Sequence, residues 1–388
     1  MLTPWWRVYC LRRRLTRAVF PALREVPVFD RPLFGMRFLV CCGLPIRLVV
    51  GVWLAATAAR AEAPPSCLTE CTLRIGLVSA FGAEADMLLA QTDAKQTYTI
   101  NGNRFTTGVL RDNQVVIVLS GVSMLNATMT TQLLLDHFRI ERLIMSGIAG
   151  GVNPAHQVGD ITVPDRWTMP MEVYWHHDAS VPAPCGRAGD VSCLGLKLAS
   201  RNGQVLPSFQ LQTPQGAIPT GLFMREQFVM TTATSPTGEF RLDYPVDTTM
   251  LDVARSLTPR LARCGPRAVK EPDAAPDPTL GVHAQPRLIV GGRGVSSPAF
   301  LAHPQYRQYL YEQLQAETVE METAALAHVA YANGIPYIAF RSLSDLAGAQ
   351  EFNADVGALF ASGLAETNAS AVTLAFLEAW QKHQQEQH

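Results

Sequence analysis

The sequence predicts an α/β protein in which helices cover both faces of a central mixed and twisted sheet. Short apolar runs typical of buried strands, such as residues 73–80 and 115–119, alternate with helix-forming segments such as 125–138. The chain has 388 residues, of which 48% are hydrophobic, and this is enough for one large core. We therefore expect a single-domain, three-layer sandwich that resembles no repeat or coiled-coil protein.

The first half of the domain reads as a strand-rich region that begins at residue 73. The strand at 73–80 leads through a turn into a helix that continues to about residue 89. Asn101-Gly-Asn103 predicts a hairpin within 97–113, because the Asn-Gly dipeptide favours tight turns between two strands. The remaining elements are a strand at 115–119, a helix at 125–138, a strand within 142–151 that ends in a glycine turn, and a strand at 158–164.

The second half contains a segment of different character at about 166–285, where proline, glycine, serine and cysteine are frequent. We interpret it as an insertion, with helical periodicity only around 247–263. The chain then returns to regular elements. These are a strand within 287–297, a helix within 304–315, a helix at 323–333 stopped by Gly334 and Pro336, a strand at 337–343, and a C-terminal helix at about 354–384 with a possible break near Gly363.

Residues 1–61 predict a leader with a secretory signal peptide, followed by the domain at 62–388. They carry ten arginines and two acidic residues, and an apolar run ends in Ala59-Arg-Ala61, where we expect cleavage. Met36 is an alternative start. The apolar run is shorter than the ~20 residues that a membrane span requires, which disfavours a permanent anchor. The sequence therefore predicts an exported protein, periplasmic or secreted.

Charge argues against a nucleic-acid partner, and cysteine content favours disulfides over a metal site. Residues 62–388 carry 22 basic and 31 acidic residues, so they lack the basic footprint of a nucleic-acid-binding protein. Cys67 with Cys71, and Cys185 with Cys193, are close enough for small disulfide loops, although the sequence does not fix the pairing. Neither these cysteines nor the adjacent His176 has the spacing of a metal site, so we expect no metal.

Polar residues concentrate around the helix at 323–333 and the strand that follows it. Glu320 and Glu322 precede this helix, and Arg341 and Asp345 come at the carboxyl end of the strand, where open α/β sheets place ligands. The alternative explanation for Glu322 is a favourable charge at a helix N-terminus, and that for Asp345 is a cap on the next helix. The residues predicted at this edge of the sheet are Glu84, which lies at another strand-to-helix junction, Glu320, Glu322, Arg341, Ser344 and Asp345.

These segments resemble the purine nucleoside phosphorylase and methylthioadenosine/S-adenosylhomocysteine nucleosidase superfamily over about 73–164 and 287–380. The most specific motifs are Val319-Glu-Met-Glu322, Arg341-Ser-Leu-Ser-Asp345 and Ser146-Gly-Ile-Ala-Gly-Gly151. The last of these looks most similar to an exported bacterial branch that includes relatives of plant bark storage proteins. The resemblance implies a purine nucleoside as the small-molecule ligand, no cofactor and a homodimer.

The resemblance also implies catalytic roles for three residues. Asp345 matches the acid that hydrogen-bonds purine N7 and so makes the base a better leaving group. Glu84 matches the carboxylate that activates water, and Arg341 would hold that carboxylate or the nucleophile in place. The residues implied in substrate binding are Glu322 and the Met321 backbone at the ribose, Phe300 as an aromatic wall for the base, and Glu320, Ser344, Ala149 and Gly150.

Hydrolysis is favoured over phosphorolysis, although both stay open. The segments 80–83 and 121–124, where the phosphorylases contact phosphate, contain no arginine here, and Glu84 would repel this co-substrate. Arg341 and Arg293 are the remaining candidate cations. A binding or storage protein without turnover is the third hypothesis, because Ile148 stands where the nucleosidases place a serine near the water.

Overall fold

The computed structural model describes residues 67–170, 227–266, 282, 284–348 and 362–387, together with the backbone of 200–201, 204–205, 209–213 and 216–220. The predicted leader, Cys185, Cys193, His176 and the start of the C-terminal helix lie outside the described residues. In the part of the chain that is described, no helix is long and apolar enough to cross a membrane.

Strands in the described residues form one large sheet and three small hairpins. Their bounds are β1 (Glu70–Ser79), β2 (Asp93–Ile100), β3 (Asn103–Leu110), β4 (Asn113–Leu119), β5 (Phe138–Gly151), β6 (Ile161–Val163), β7 (Arg166–Thr168), β8 (Ser200–Arg201), β9 (Gln204–Val205), β10 (Phe209–Thr213), β11 (Gly216–Thr220), β12 (Gln227–Val229), β13 (Glu239–Arg241), β14 (Asp243–Pro245), β15 (Leu288–Val290), β16 (Arg293–Ser296), β17 (Ala316–Glu320) and β18 (Tyr337–Asp345). The pairs β8–β9, β10–β11 and β12–β13 are separate two-stranded sheets.

The other twelve strands form one mixed sheet, with the main order β14-β7-β16-β17-β5-β1-β4-β3-β2. Strand β5 is its centre, because it pairs in parallel with both β1 and β18. At its carboxyl end β5 also pairs with the antiparallel β17, through Gly150 and Gly151. The carboxyl ends of β1, β5 and β18 therefore meet at one edge of the sheet, which is where the polar residues were expected.

Six helices are described: α1 (Gly82–Gln91), α2 (Met124–His137), α3 (Thr248–Arg255), α4 (Pro304–Leu314), α5 (Thr323–Asn333) and α6 (Leu364–Gln387). Helices α2 and α5 pack against each other, whereas α1 and α3 pack against α6. The C-terminal helix is fixed to β18 by an aromatic series in which Phe340 lies 5.1 Å from Phe376, and Phe376 lies 5.8 Å from Trp380, between ring centroids. The helices on both faces give the predicted α/β sandwich.

Several strands have bounds that differ from those predicted from the sequence. Strand β18 continues to Asp345, so Arg341 lies in the middle of the strand and not at its end. Strand β5 also continues through Gly151 where a glycine turn was expected, because these glycines pair with β17. The predicted strand at 158–164 shortens to β6. At the N-terminus, Cys67 and Cys71 form the predicted small disulfide loop, with Cα atoms 5.5 Å apart.

The segment 166–285 is partly integrated into the sheet. Its strand β7 pairs in parallel with β16 and antiparallel with β14, so these two strands of the segment extend the main sheet. Helix α3 lies within the part of the segment where helical periodicity was predicted. It begins after Asp247, whose side chain accepts a hydrogen bond from the Met250 N–H. Among the described residues of the segment, β8 to β13 and helix α3 lie outside the main sheet.

Candidate active site

A cavity opens at the sheet edge where β1, β5 and β18 end. Nine of the ten predicted site residues line it, and Arg341 is the exception. The polar part of the lining is Glu84, Glu320, Glu322, Ser344 and Asp345; the remainder is Ala80, Phe81, Val122, Ile148, Ala149, Gly150, Ala299, Phe300, Leu301, Val319 and Met321. A mainly apolar cavity with a few converging polar groups is the usual form of a small-molecule site.

Glu84 lies on the first turn of α1 and is buried with its carboxylate turned back toward β1. Its Oε2 accepts hydrogen bonds from the N–H groups of Ala80 at 2.6 Å and Phe81 at 3.3 Å. Its Oε1 accepts one from the Ile148 N–H at 2.8 Å. Burial raises the pKa of Glu84, whereas the Arg341 charge and these three N–H groups act in the opposite direction. The carboxylate is thus held in one orientation by backbone from two strands.

Arg341 is fully buried and lies behind the cavity, among three carboxylates. Its guanidinium contacts Glu320 directly, lies 3.5 Å from Glu322 Oε2 and 3.9 Å from Glu84 Oε1. Three buried carboxylates around one cation leave an excess of negative charge in a region with little water, which is unfavourable unless a proton is bound. Arg341 lies near Glu84, and its role in holding this carboxylate stays a prediction.

Glu320 is the residue that caps α5. Its carboxylate accepts hydrogen bonds from the N–H groups of Glu322 at 3.0 Å and Thr323 at 2.9 Å, and from the Thr323 hydroxyl at 2.9 Å. The Ser296 hydroxyl also donates to Glu320 and accepts from the Ala324 N–H at 2.7 Å. Glu320 lines the cavity, but its oxygens are already engaged, which is typical of a group that supports its neighbours.

Glu322 reaches out of its own helix toward α2. Its Oε1 accepts a hydrogen bond from the Ser123 N–H at 2.8 Å, and its side chain does not cap α5. Burial, together with the neighbouring Glu320 charge, raises the pKa of Glu322 to about 7. Glu322 thus stands at the N-cap position of α5 without a capping hydrogen bond from its side chain, and this carboxyl can change its protonation state near neutral pH.

Asp345 ends β18 and faces the cavity from the other side. Its Oδ2 accepts a hydrogen bond from the Ser344 hydroxyl at 2.9 Å, and its Oδ1 accepts one from the Ala347 N–H at 2.7 Å. Burial raises the pKa of Asp345, and these two donors oppose the effect. A Cβ at Gly150 would lie 2.9 Å from Oδ1, so glycine at this point of β5 makes room for the carboxyl group.

Basic side chains are absent from the cavity wall as far as the residues are described. Arg293, considered above as a second cation, donates instead to Asp243 at 2.7 Å and to the Leu314 carbonyl at 3.3 Å, away from the cavity. In the described ranges, no group of three or more His, Cys, Asp or Glu side chains is arranged to hold a metal ion. The exposed Phe300 ring lies at the cavity mouth.

Sequence reasoning missed four residues that shape the site. Thr323 and Ser296 complete the Glu320 and Arg341 network, and Ser123 fixes Glu322. A Cβ at Gly147 would collide with both Glu84 and Arg341. Gly147 lies within a glycine-rich motif that was already noted, whereas the other three are ordinary polar residues whose roles depend on contacts distant in sequence.

The central sheet and the carboxylate-lined cavity at its edge define a nucleoside phosphorylase-like fold. A family model described as the Phosphorylase superfamily matches residues 74–378, which is most of the chain. The chain belongs to this superfamily.

Individual relatives agree with this assignment. A 5′-methylthioadenosine/S-adenosylhomocysteine nucleosidase of Lysinibacillus sphaericus is 25% identical over 277 residues, covering 71% of this chain and 87% of the relative. One of Mycobacterium bovis is 28% identical over 267 residues, covering 66% of this chain and 81% of the relative. The solved structure of the nucleosidase of S. pneumoniae with a transition-state inhibitor aligns with a TM-score of 0.50 and 22% identity, covering 79% of this chain and 99% of that chain. This structural likeness shows a shared fold.

Proposed function

We propose that the protein is a purine nucleosidase, which hydrolyses the N-glycosidic bond of nucleosides such as methylthioadenosine, S-adenosylhomocysteine, adenosine or inosine. The observation that carries the proposal is that Glu84, Glu322 and Asp345 face one mainly apolar cavity. Cleavage of this bond needs an acid for the leaving base, contacts for the ribose and an activated nucleophile. The relatives' names, which specify methylthioadenosine and S-adenosylhomocysteine, support the choice of substrates.

Asp345 acts on the purine in this proposal. Its raised pKa favours the protonated form, which donates a proton to N7 as the bond between C1′ and the base breaks. The electrons of that bond then remain on a purine that leaves as a neutral base. Ser344 and the Ala347 N–H orient the carboxyl group, and Phe300 at the mouth offers a ring on which the base can stack.

Glu322 acts on the ribose. Its Oε1 is held by Ser123, and the carboxyl faces the cavity beside Met321, so it can accept hydrogen bonds from ribose hydroxyls. The sugar becomes an oxocarbenium-like cation as the base departs. A carboxylate already fixed in position stabilises this cation without having to reorganise.

Glu84 acts on the attacking water. It takes a proton from water while the water oxygen forms the new bond to C1′, so that ribose is released with a hydroxyl at this carbon. Burial raises the pKa of Glu84, and the three N–H groups and Arg341 oppose this shift and so support the ionised form that a base needs. Ile148 supplies one of these N–H groups and lines the cavity, so its backbone contributes to the site although it has no hydroxyl.

Water is favoured over phosphate as the nucleophile. A phosphate site requires cations or several free backbone N–H groups. Neither arginine nor lysine lines the cavity in the described ranges, and Arg341 is already surrounded by carboxylates. Glu84 would also repel a phosphate anion.

We also propose that the mature protein is an exported homodimer. The leader sequence supports export. Three apolar side chains near the cavity mouth are solvent-exposed, namely Val122, Leu125 and Met129, of which Leu125 is 83% exposed. An apolar surface of this kind beside a site is typical of a protein interface, and a second copy would cover it.

The test is release of adenine or hypoxanthine from adenosine, inosine and methylthioadenosine by residues 62–388, with and without phosphate. Hydrolysis predicts release that is independent of phosphate. Release only with phosphate would indicate a phosphorylase, and nucleoside binding without release would indicate a binding or storage protein.

A further inference from the structure

Ser123 has a backbone conformation that only glycine adopts easily. Its φ is 93° and its ψ is 148°, in a region where the Cβ of any other residue is strained. The residue precedes α2, yet its side chain makes no capping hydrogen bond to that helix. A serine that is strained and does not cap suggests that the backbone itself is needed in this position.

The backbone of Ser123 is fixed on three sides. Its carbonyl accepts the Ala127 N–H at 3.0 Å, which ties it to α2. The preceding turn is tied to the residue that follows β1, since the N–H of Gly121 donates to the Ala80 carbonyl at 2.9 Å. Its own N–H points to Glu322 Oε1 at 2.8 Å.

Glu84, Glu320 and Glu322 form an acidic cluster around Arg341. The Ser123 N–H donates a hydrogen bond to Glu322 from outside this cluster. The other neighbours of Glu322 are the Arg341 guanidinium at 3.5 Å, which also serves Glu320, and the like-charged carboxylates of Glu320 and Glu84. Without the Ser123 donor, repulsion within the cluster would disfavour the ionised form and leave the carboxyl free to rotate.

We propose that Ser123 is a positioning residue, whose strained backbone aims one N–H at Glu322 and so fixes the carboxylate for ribose binding. Ser123 does not line the cavity, so it acts through Glu322. The inference rests on the proposed function for the role of Glu322, but the hydrogen bond itself can be tested in the free protein.

The first experiment measures proton binding by Glu322, using carboxyl NMR with the resonance assigned by Glu322→Gln. In Ser123→Val a β-branched side chain makes the required conformation still less favourable, so the N–H should leave Glu322. We expect Glu322 to bind its proton at least about threefold more tightly in this variant. An unchanged titration in folded Ser123→Val would overturn the proposal.

Nucleoside affinity is the second readout, measured by calorimetry with adenosine and methylthioadenosine in an Asp345→Asn protein, so that the nucleosides stay intact. In this protein we expect Ser123→Val to weaken binding by about tenfold, and by less than twofold when Glu322→Gln is also present, because the two residues act together. Equal losses in both backgrounds would contradict action through Glu322. A protein that binds nucleosides without cleaving them would refute the proposed hydrolysis while leaving this test intact.

If Ser123→Val does not fold, two further variants test the strain at this residue. Ser123→Gly relieves the strain and should raise Tm by about 2–4 °C relative to Ser123→Ala, with the Glu322 titration unchanged. A Ser123→Gly protein no more stable than Ser123→Ala would show that no strain is held there. Gln315→Val is the matched control, because Gln315 also has a positive φ, of 53°, but lies at the end of α4; it should lower Tm without affecting nucleoside binding.

Discussion

Arg341 Nη1 lies 3.9 Å from Glu84 Oε1, although the two residues come from different elements and only Glu84 reaches the cavity. The cation therefore influences the site from behind its wall. It also contacts Glu320 and Glu322, so one guanidinium partly compensates the charges of three carboxylates. The positions of these carboxylates should therefore depend on Arg341.

Replacement of Arg341 by methionine should destabilise the protein strongly. It leaves three buried carboxylates without a counter-charge, and breaking buried ion pairs in this way costs about 3–5 kcal/mol. Urea unfolding measures the loss. Arg341→Lys is the control, because it keeps the charge and should recover part of the stability; a methionine variant as stable as the parent would contradict the assigned contacts.

Stability should fall as pH rises between about 4.5 and 7. The pKa of Glu322 is raised from 4.5 to about 7 by burial and by Glu320, so the folded protein binds this proton more tightly than the unfolded chain. The stabilisation is complete below the unfolded pKa and is lost as pH passes the folded pKa. The effect is on the order of 3 kcal/mol for this one group. Burial shifts the pKa values of Glu84 and Asp345 in the same direction.

Glu322→Gln removes the titrating group and should flatten this dependence. Thermal unfolding of both proteins from pH 4.5 to 7.5 makes the comparison. Parallel curves for the parent and the variant would show that Glu322 does not carry the raised pKa.

Gly147→Ala should abolish activity, because the added Cβ would collide with Glu84 and Arg341. Gly82→Ala is a matched control on α1: its Cβ would meet only Asp86 Oδ1 at 3.8 Å, so we expect near-normal activity and a helix stabilised by up to about 1 kcal/mol. Base release and Tm are measured for both. Activity of Gly147→Ala similar to that of the control would mean that the carboxylate is not held as described.

Leu125→Asp should convert the proposed dimer to a monomer, because it places a charge in the exposed apolar surface of α2. Light scattering coupled to size-exclusion chromatography gives the mass. Asn126→Asp adds the same charge at the neighbouring exposed position and should leave the dimer intact. A parent protein that is monomeric at micromolar concentrations would contradict the proposed homodimer.

The sequence predicted the parts of the site that depend on local pattern. Glu84 and Asp345 were placed correctly at the sheet edge because both follow recognisable strands, and helix α5 was predicted at Thr323–Asn333 from its composition and its Gly334 stop. The sequence did not identify Glu320 as the side chain that caps α5. Glu320 and Glu322 are equivalent in the sequence, and the distant Ser296 and Ser123 decide which one caps the helix.

Other features could not be read from sequence because they depend on tertiary pairing. Strand β18 extends to Asp345 since β5 supplies partners for its last residues, which moves Arg341 into the strand interior. The positive φ of Ser123 has no signature in a residue that favours helix starts. Incorporation of β7 and β14 into the main sheet likewise depends on β16, which lies far away in the chain.

In the proposed reaction, Asp345 donates a proton to a purine that water then replaces. Base release from methylthioadenosine and adenosine in phosphate-free buffer, compared between the parent protein and Asp345→Asn, measures this step. We expect release by the parent at the same rate with or without phosphate, and a loss of about 10²- to 10⁴-fold in the variant with nucleoside binding retained. Release that requires phosphate, or an Asp345→Asn protein as active as the parent, would contradict the proposed reaction.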